Sequence, residues 1–273
     1  MAKAIKHIKA GMLHYDYEVR LPDERRKPRS PRSKATSLAK AFHNNQTSWQ
    51  ELELMLANNF GGHDFVVTLT YDDDHLPESK DAAGKEIKKF FRRVRTARRR
   101  RGEDLLYAYN IEGAHGMEVD PYFGADGDLE DHRIHHHVVI NGTGPDFLEE
   151  VRSLWHGGGY VRVEPFDIRY VEALARYMTK EARTYGRPKP GERTWRCSRN
   201  LKKYHVEYEE VSDSLSLSPP PGAVDYKIVH ERNPYGYADC VKARYLLYED
   251  EPNPGYTYTR GRRKQGRSNN FKS

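Results

Sequence analysis

The sequence predicts an α+β fold in which helices pack on an antiparallel β-sheet. Between residues 61 and 205, short segments rich in β-branched and aromatic residues alternate with segments whose apolar residues recur at helical spacing. Their order along the chain is β-α-β-β-α-β-α, the split βαβ pattern found in ferredoxin-like and RRM-like sheets. Pairs and triplets of glycine separate several of these segments, as expected where a chain turns.

The first half of this region contains one strand between two helices. Phe65–Tyr71 is predicted to be a strand because most of its residues are β-branched or aromatic. A helix is predicted before it over Ser48–Asn58, with Ser48 as the N-cap and Glu51 in the third position of a capping box. A second helix is predicted over 85–101. Its buried stripe is expected to consist of Ile87, Phe90, Phe91, Val94 and Ala97.

The second half contains three strands and two helices. Residues 105–112 have strand composition and end at Gly113, and a glycine- and acid-rich connection follows. The same patterns predict four further elements: a strand over 132–140, a helix over Asp146–Trp155, a short strand over 160–163 and a helix over 167–185.

Three parts are predicted along the chain. Residues 1–60 form a basic N-terminal arm and the first helix, residues 61–205 form the central domain, and residues 206–273 form a C-terminal extension of open role. The first 36 residues contain ten Lys or Arg and four Asp or Glu. That balance fits either a solvated tail or an arm that contacts DNA.

The C-terminal extension has a weaker pattern than the central domain. Residues 204–211 and 224–231 have strand composition, and residues 236–249 are ambiguous. From Arg260 onward the chain is basic and without acids, which predicts a disordered tail.

The composition favours a nucleic-acid partner. The 273 residues include 19 tyrosines and carry a net charge of +6, and the pI is about 9.1. A basic surface attracts phosphates, and tyrosine rings stack on bases. The chain has no long apolar run and no signal peptide, and its two cysteines form no C-x-x-C pair. We therefore expect a cytoplasmic protein with no membrane partner.

The outer face of the helix predicted over 85–101 is strongly basic. Ten of its residues are Lys or Arg, and its single acid is Glu86. A run of charge is usually only a solvated surface, but one this one-sided indicates a phosphate backbone nearby. The residues expected to contact DNA are Lys88, Arg92, Arg95 and Arg99, with Arg133 at the start of the next histidine-containing strand.

The strand predicted over 132–140 carries histidines at alternate positions. Because strand side chains alternate between faces, His135 and His137 share one face and His136 points to the other, among apolar residues. Glu112 ends the strand expected to pair antiparallel with it. Two imidazoles and a carboxylate suit an octahedral ion such as Mn²⁺ or Mg²⁺ with positions left open for a substrate. A histidine pair taken alone fits an ordinary structural role equally well.

A tyrosine and a lysine lie three residues apart in the last predicted helix. Tyr177 and Lys180 would share one face of that helix. A phenol has a pKa of about 10 and needs help to attack a phosphodiester. A nearby metal and the lysine ammonium could supply that help. Such a pair by itself is common on helices.

Taken together, these parts resemble the HUH endonuclease family, in particular the rolling-circle replication initiators of small single-stranded DNA phages and related plasmids. The resemblance extends over most of the chain to about residue 205. The residues that carry it are Phe65–Tyr71, Asn110–Gly113, Arg133–His137, Ala173–Lys180 and Ser198–Lys202. Each motif is short, and their order and spacing make the likeness specific.

The resemblance implies roles for five residues. His135 and His137 match the metal-binding pair and Glu112 matches the third ligand. Tyr177 matches the nucleophile and Lys180 its helper. A second tyrosine present in some members corresponds to Ala173 here, which implies a single-tyrosine enzyme. His136 stands where the family usually has a bulky hydrophobic residue.

The implied activity is metal-dependent nicking and rejoining of single-stranded DNA at an origin through a 5′-phosphotyrosine. No nucleotide-binding G-x-x-x-x-G-K-[ST] loop is present, so a host helicase, together with a host polymerase, is the expected partner. Three alternatives stay open: another HUH enzyme such as a relaxase or transposase, a simple metallohydrolase, and a non-catalytic DNA-binding regulator on an RRM-like sheet.

Overall fold

The computed structural model describes residues 3–20, 38–113, 133–180, 193–210, 218–231 and 240–248. In these ranges the chain forms two five-stranded antiparallel sheets and four α-helices, so the predicted α+β fold is confirmed. No helix in the described ranges is long and apolar enough to cross a membrane.

The elements are labelled in chain order. The helices are α1 (Leu38–Asn59), α2 (Lys80–Arg101), α3 (Phe147–Leu154) and α4 (Val171–Met178). The strands of the central region are β3 (Phe65–Tyr71), β4 (Tyr107–Glu112), β5 (His135–Ile140), β6 (Gly158–Pro165) and β7 (Arg196–Cys197). The remaining strands are β1 (Lys3–Ala10), β2 (Leu13–Arg20), β8 (His205–Glu210), β9 (Ala223–Glu231) and β10 (Cys240–Leu247).

The first sheet, called sheet I here, has the strand order β6-β3-β5-β4-β7. Its first four strands have the order and antiparallel pairing of a split βαβ unit, as the sequence predicts. Two apolar cores cover its faces. Helices α1 and α4 pack on one face in core 1, and helices α2 and α3 pack on the other in core 2.

The second sheet, called sheet II, has the order β8-β1-β2-β10-β9 and combines both ends of the chain. Residues 3–20 therefore form a two-stranded hairpin inside a sheet, where the sequence suggested a basic arm. The strands predicted over 204–211 and 224–231 are confirmed, and the ambiguous segment over 236–249 contributes β10. Sheet II buries Ile8, Leu13 and Tyr15 against α1 in core 1.

Three helix boundaries differ from the sequence prediction. Helix α1 begins at Leu38, so Ser48 lies inside it and hydrogen-bonds Thr194 instead of capping the helix. Helix α2 begins five residues earlier than expected because the Ser79 side chain accepts a hydrogen bond from the Ala82 N–H. The predicted helix over 167–185 is a 3₁₀ turn followed by the short α4, and residues 181–185 lie outside the described ranges.

One member of the basic run on α2 is buried. Arg98 is fully covered, where the sequence suggested a solvated charge. Its guanidinium donates to the carboxylate of Glu150 and to the side-chain oxygen of Asn141. A buried guanidinium is tolerated because both partners complete its hydrogen bonds.

A second buried charge joins sheet II to α1. Arg244 of β10 donates through Nε and Nη2 to one oxygen of Glu53, at 3.0 Å each, and Tyr15 donates its hydroxyl to the other oxygen at 2.7 Å. Both charged side chains are almost completely buried. Removal of one partner would leave the other charge without compensation in the protein interior.

We therefore predict that Glu53→Ala lowers the free energy of unfolding by about 3–5 kcal/mol, because Arg244 stays buried without its main counter-charge. Urea denaturation followed by circular dichroism measures this change. The control is Glu86→Ala, which removes the exposed partner of Lys89 on α2 and should change stability by less than about 1 kcal/mol. Equal effects of the two substitutions would contradict the prediction.

Candidate active site

The antiparallel pairing of β4 and β5 brings the three predicted metal ligands together. Glu112 lies directly opposite His135, and His137 lies opposite Asn110, on the same face of sheet I. The two Nε2 atoms of His135 and His137 are 3.1 Å apart. Glu112 Oε2 lies 3.2 Å from Nε2 of His137 and 3.8 Å from Nε2 of His135. One ligand atom from each residue lies within 4.8 Å of the others.

Neighbouring polar groups orient both imidazoles. The His135 Nδ1–H donates to the carbonyl of Arg133 at 2.9 Å, because a carbonyl can only accept. Nε2 of His135 therefore carries the lone pair and points toward the other two ligands. His137 Nδ1 lies 3.2 Å from the hydroxyl of Thr68 on β3. The sequence analysis missed Thr68, although its alternation on β3 places it on this face.

The electrostatic environment keeps these groups in metal-binding forms. Burial by itself would raise the pKa of Glu112, but contacts with His137 and Lys180 outweigh burial and lower the pKa to about 2. Burial lowers the pKa of His135 below its ordinary value. At neutral pH the site therefore offers a carboxylate and, at His135, a neutral imidazole, which are the forms that bind metal ions.

The donor set fits a divalent metal ion. Glu112 Oε2 is buried and has no hydrogen-bond partner of good geometry among the described residues, although it faces two imidazole nitrogens. Buried polar atoms normally have partners, and a cation between the three ligands would satisfy this oxygen. Two histidines and one carboxylate leave several coordination positions of an octahedral ion open. Glu112, His135 and His137 are the residues that would hold it.

His136 lies on the other face of sheet I, as predicted. It is fully buried, and its Nε2 is 2.6 Å from the hydroxyl of Tyr71. The imidazole also packs edge-on against Trp155. Burial lowers the pKa of His136 to about 3, so it is neutral at physiological pH. His136 is therefore a packed histidine of core 2 and stands apart from the ligand set.

Helix α4 places Tyr177 beside the three ligands. Its ring meets the His137 ring edge-on, with centroids 4.9 Å apart, and the side chain is 41% exposed. The helix ends at Met178, so Lys180 lies just beyond it and not on its face as predicted. Lys180 still reaches the site: its Nζ is 3.8 Å from the Tyr177 ring centroid and 2.5 Å from Glu112 Oε1.

The charge of Lys180 is stabilised by its neighbours. Burial lowers its pKa, but the ion pair with Glu112 outweighs this and leaves the pKa above the ordinary value. Lys180 is therefore an ammonium at neutral pH. A fixed positive charge beside a phenol can stabilise negative charge on the phenolic oxygen.

Tyr170 is separated from this group. It precedes the first turn of α4, is mostly exposed, and lies beside the guanidinium of Arg169 at 5.7 Å. Ala173 occupies the position one turn before Tyr177. Within the described residues, Tyr177 is thus the phenol in contact with the histidine pair.

Comparison with known proteins supports a replication role for this region. Residues 64–182 match a family model described as replication-associated protein of the ORF2 type. The matched segment is less than half of the chain, and it includes all five residues that meet at the site. The match supports a protein of the replication initiator type. No significant match was found among curated proteins or among solved structures.

The predicted DNA-contacting residues lie in two places. Lys88, Arg92, Arg95 and Arg99 are on α2, which covers the face of sheet I opposite the ligand triad. Arg133 lies two residues before His135 and pairs with Asp73 at 2.6 Å. The structure brings Arg133 near the triad and keeps the α2 face away from it.

The segment Ser198–Lys202 has a structural role in the fold. The Ser198 hydroxyl accepts a hydrogen bond from the Tyr107 N–H, and the Ser198 N–H donates to the Tyr107 carbonyl. Lys202 is bound through its backbone to Asn59 of α1. The segment therefore ties the edge of sheet I to α1.

We predict that Thr68→Val weakens Mn²⁺ binding about 10- to 100-fold, because His137 loses the hydroxyl that orients its ring. Glu112→Gln should abolish measurable binding, since the site loses its carboxylate. Isothermal titration calorimetry with Mn²⁺ alone measures both.

The matched control is Thr70→Val. Thr70 lies two residues further along β3 and donates its hydroxyl to the Tyr160 carbonyl, away from His137. Its substitution should leave Mn²⁺ affinity unchanged. Wild-type affinity in Thr68→Val or in Glu112→Gln would exclude the assigned ligand arrangement.

Proposed function

We propose that this protein is a rolling-circle replication initiator, a metal-dependent tyrosine transesterase that nicks and rejoins single-stranded DNA at an origin. The observation that carries the proposal is the position of Tyr177, whose ring contacts His137 and lies under Lys180 at the edge of the triad. A DNA-binding regulator needs neither a nucleophile nor a ligand set in contact. The match to a replication-associated family supports the same conclusion.

The proposed cofactor is a divalent ion, Mn²⁺ or Mg²⁺, held by Glu112, His135 and His137. Such an ion supplies Lewis-acid activation of a phosphate oxygen. The protein's own contribution is to hold two imidazoles and one carboxylate in fixed directions through Thr68 and the Arg133 carbonyl. Preorganised ligands and charges lower the free energy of reorganisation during the reaction.

In the proposed reaction, Tyr177 is the nucleophile. Its phenolic oxygen forms a bond to phosphorus while the bond from phosphorus to the 3′ oxygen breaks. The phenol loses its proton to solvent, and the departing 3′ oxygen gains one. The products are a 5′-phosphotyrosine and a free 3′-OH, so phosphodiester bond energy is retained. A later attack by a 3′-OH reverses the step and rejoins the strand.

Lys180 acts on this step through its charge. Because it is an ammonium paired with Glu112, it stabilises a phenolate at Tyr177 and cannot serve as the base. It also compensates the buried carboxylate of Glu112. The same side chain therefore links the charge of the ligand set to the nucleophile.

The free 3′-OH suits primed DNA synthesis, which places a host polymerase and a host helicase among the proposed partners. Residues 61–205 are the proposed endonuclease domain. The proposed location is the cytoplasm of a bacterial host.

The experiment that tests this function incubates the purified protein with Mn²⁺ and labelled single-stranded DNA from the encoding replicon, followed by denaturing gel electrophoresis. A covalent protein–DNA adduct is expected. We predict that Tyr177→Phe abolishes the adduct because it removes the attacking oxygen, and that chelation with EDTA abolishes it as well.

Two further variants sharpen this test. Lys180→Gln should form the adduct at least about 100-fold more slowly, because one preorganised charge is removed. Tyr170→Phe is the matched control and should form it at the wild-type rate. Cleavage without an adduct would indicate a metallohydrolase. Binding with neither cleavage nor metal dependence would indicate a regulator.

The basic face of α2 is proposed to contact the DNA backbone, as part of the same function. Because α2 lies on the opposite side of sheet I from Tyr177, the contacted segment must be another part of the DNA than the scissile phosphate. Arg133, next to the triad, is the proposed contact closest to the cleavage site.

We predict that the double substitution Arg92→Gln and Arg95→Gln reduces the dependence of DNA binding on salt. The slope of log K against log salt should fall by about 0.7 for each phosphate of the single strand that the variant no longer neutralises. Filter binding across a potassium chloride series measures the slope. Lys89→Gln is the control, because Lys89 is already paired with Glu86. A wild-type slope in the double variant would remove α2 from the proposed interface.

A further inference from the structure

Sheet II carries a row of alternating tyrosines and lysines on its inner face. Strand register places Tyr208 opposite Lys6, Lys6 opposite Tyr17, and Tyr17 opposite Lys242. The four side chains lie on four adjacent strands, β8, β1, β2 and β10, on the side that faces α1. This set, Tyr208–Lys6–Tyr17–Lys242, is called the tyrosine–lysine row.

The centre of the row is organised around one aromatic ring. The Nζ atoms of Lys6 and Lys242 lie 5.3 Å and 4.9 Å from the centroid of the Tyr17 ring. Ammonium groups at this distance are attracted by the negative charge of a ring face. Tyr17 therefore holds two positive charges near each other on adjacent strands.

The burial of Lys242 adds to this arrangement. Its side chain is only 7% exposed, and its Nζ donates to Gln50 Oε1 at 3.2 Å. Charged side chains are seldom buried to this degree, because desolvation of an ammonium is unfavourable. A lysine held this way beside a second lysine suits the binding of an anion.

The row borders a small cleft between sheet II and α1. The cleft has a volume of about 110 Å³, and its lining includes Lys6, Tyr17 and Lys242 on one side and Gln50 and Glu51 on the other. The Glu51 carboxylate accepts a hydrogen bond from the hydroxyl of Tyr204 at 2.6 Å. The cleft therefore contains two lysines and one carboxylate, and that carboxylate is engaged by a tyrosine.

Tyr208 is at the open end of the row. Its side chain is 56% exposed, although it follows Val206, which packs in core 1 on the same side of β8. An exposed ring beside positive charges is the combination that binds single-stranded nucleic acid, because bases stack on the ring while phosphates contact the cations. Adjacent strands are about 4.8 Å apart, which places a ring and an ammonium within reach of one nucleotide.

We propose that the tyrosine–lysine row is a second binding site for single-stranded DNA, on sheet II and outside the segment that matches the replication-associated family. A base stacks on Tyr208, and the adjoining phosphates contact Lys6 and Lys242. The inference rests on the proposed function for the class of its partner. Helix α1, which forms the other side of the cleft, packs on α4, which carries Tyr177. A strand bound at the row is thereby held on the same side of sheet I as the nucleophile.

The test measures fluorescence anisotropy of a labelled oligo-dT of about 20 nucleotides, long enough for one single-strand site, with the full chain in EDTA. Tyr208→Ala should weaken binding at least about fivefold through loss of stacking, and Tyr208→Phe should restore it. Lys6→Gln should lower the slope of log K against log salt by about 0.7.

Matched controls lie nearby. Tyr248→Ala removes a tyrosine of similar exposure, 52%, which follows β10. Lys227→Gln removes a lysine of sheet II that is paired with Asp225. Both controls should bind oligo-dT as the wild type does. The proposal is overturned if Tyr208→Ala and Lys6→Gln bind no more weakly than these controls.

A duplex of the same length separates two forms of the site. Unchanged duplex affinity in Tyr208→Ala supports stacking on unpaired bases. An equal reduction of affinity for duplex and single strand overturns a single-strand site. Because binding is measured in EDTA, the result does not depend on chemistry at Tyr177. A row that fails while the adduct forms refutes only this inference, and an absent adduct with a functional row refutes only the nickase.

Discussion

The register between β4 and β5 is the constraint on which the candidate active site depends. It sets Glu112 opposite His135 and aligns both with His137 on one face of sheet I. A shift of one residue would turn all of these side chains to the opposite face, into core 2. The register is fixed because Val138 and Ile140 are buried in core 2 while Val139 is buried in core 1. The apolar packing of the strand thus determines where its histidines point.

Glu112 then connects the remaining parts of the site. One of its oxygens faces the two imidazoles and the other is paired with Lys180. A buried carboxylate is tolerated because these neighbours more than offset its desolvation, which is why its pKa falls to about 2. Lys180 in turn lies over the Tyr177 ring. Ligand set and nucleophile are therefore parts of one electrostatic unit.

Sheet II gives this unit a support that the split βαβ core alone does not have. Its inner face packs on α1, and α1 packs on α4. The buried Arg244 pairs with Glu53 of α1 and lies 3.7 Å from Glu172 of α4. Glu172 also accepts from Arg176, the residue before Tyr177. The position of the nucleophile thus depends on strands from both ends of the chain.

Local sequence patterns were sufficient to predict the fold of sheet I and most of the candidate site. Alternation along the histidine strand was enough to separate His135 and His137 from His136, because side-chain direction in a strand follows from position alone. Antiparallel pairing of neighbouring strands was enough to place Glu112. Tyr177 and Lys180 were found together, although the helix that was expected to hold both ends between them.

Features that join residues far apart in the chain arose from tertiary packing. Sheet II pairs residues 3–20 with residues beyond 204, and no local pattern encodes which strands meet. The burial of Arg98, the contact of Thr68 with His137 and the tyrosine–lysine row arise in the same way. Alternation along the chain established which residues face the same side of each strand. Packing between distant segments then set which of those faces are buried, paired or open, because burial depends on the neighbouring element and not on the strand itself.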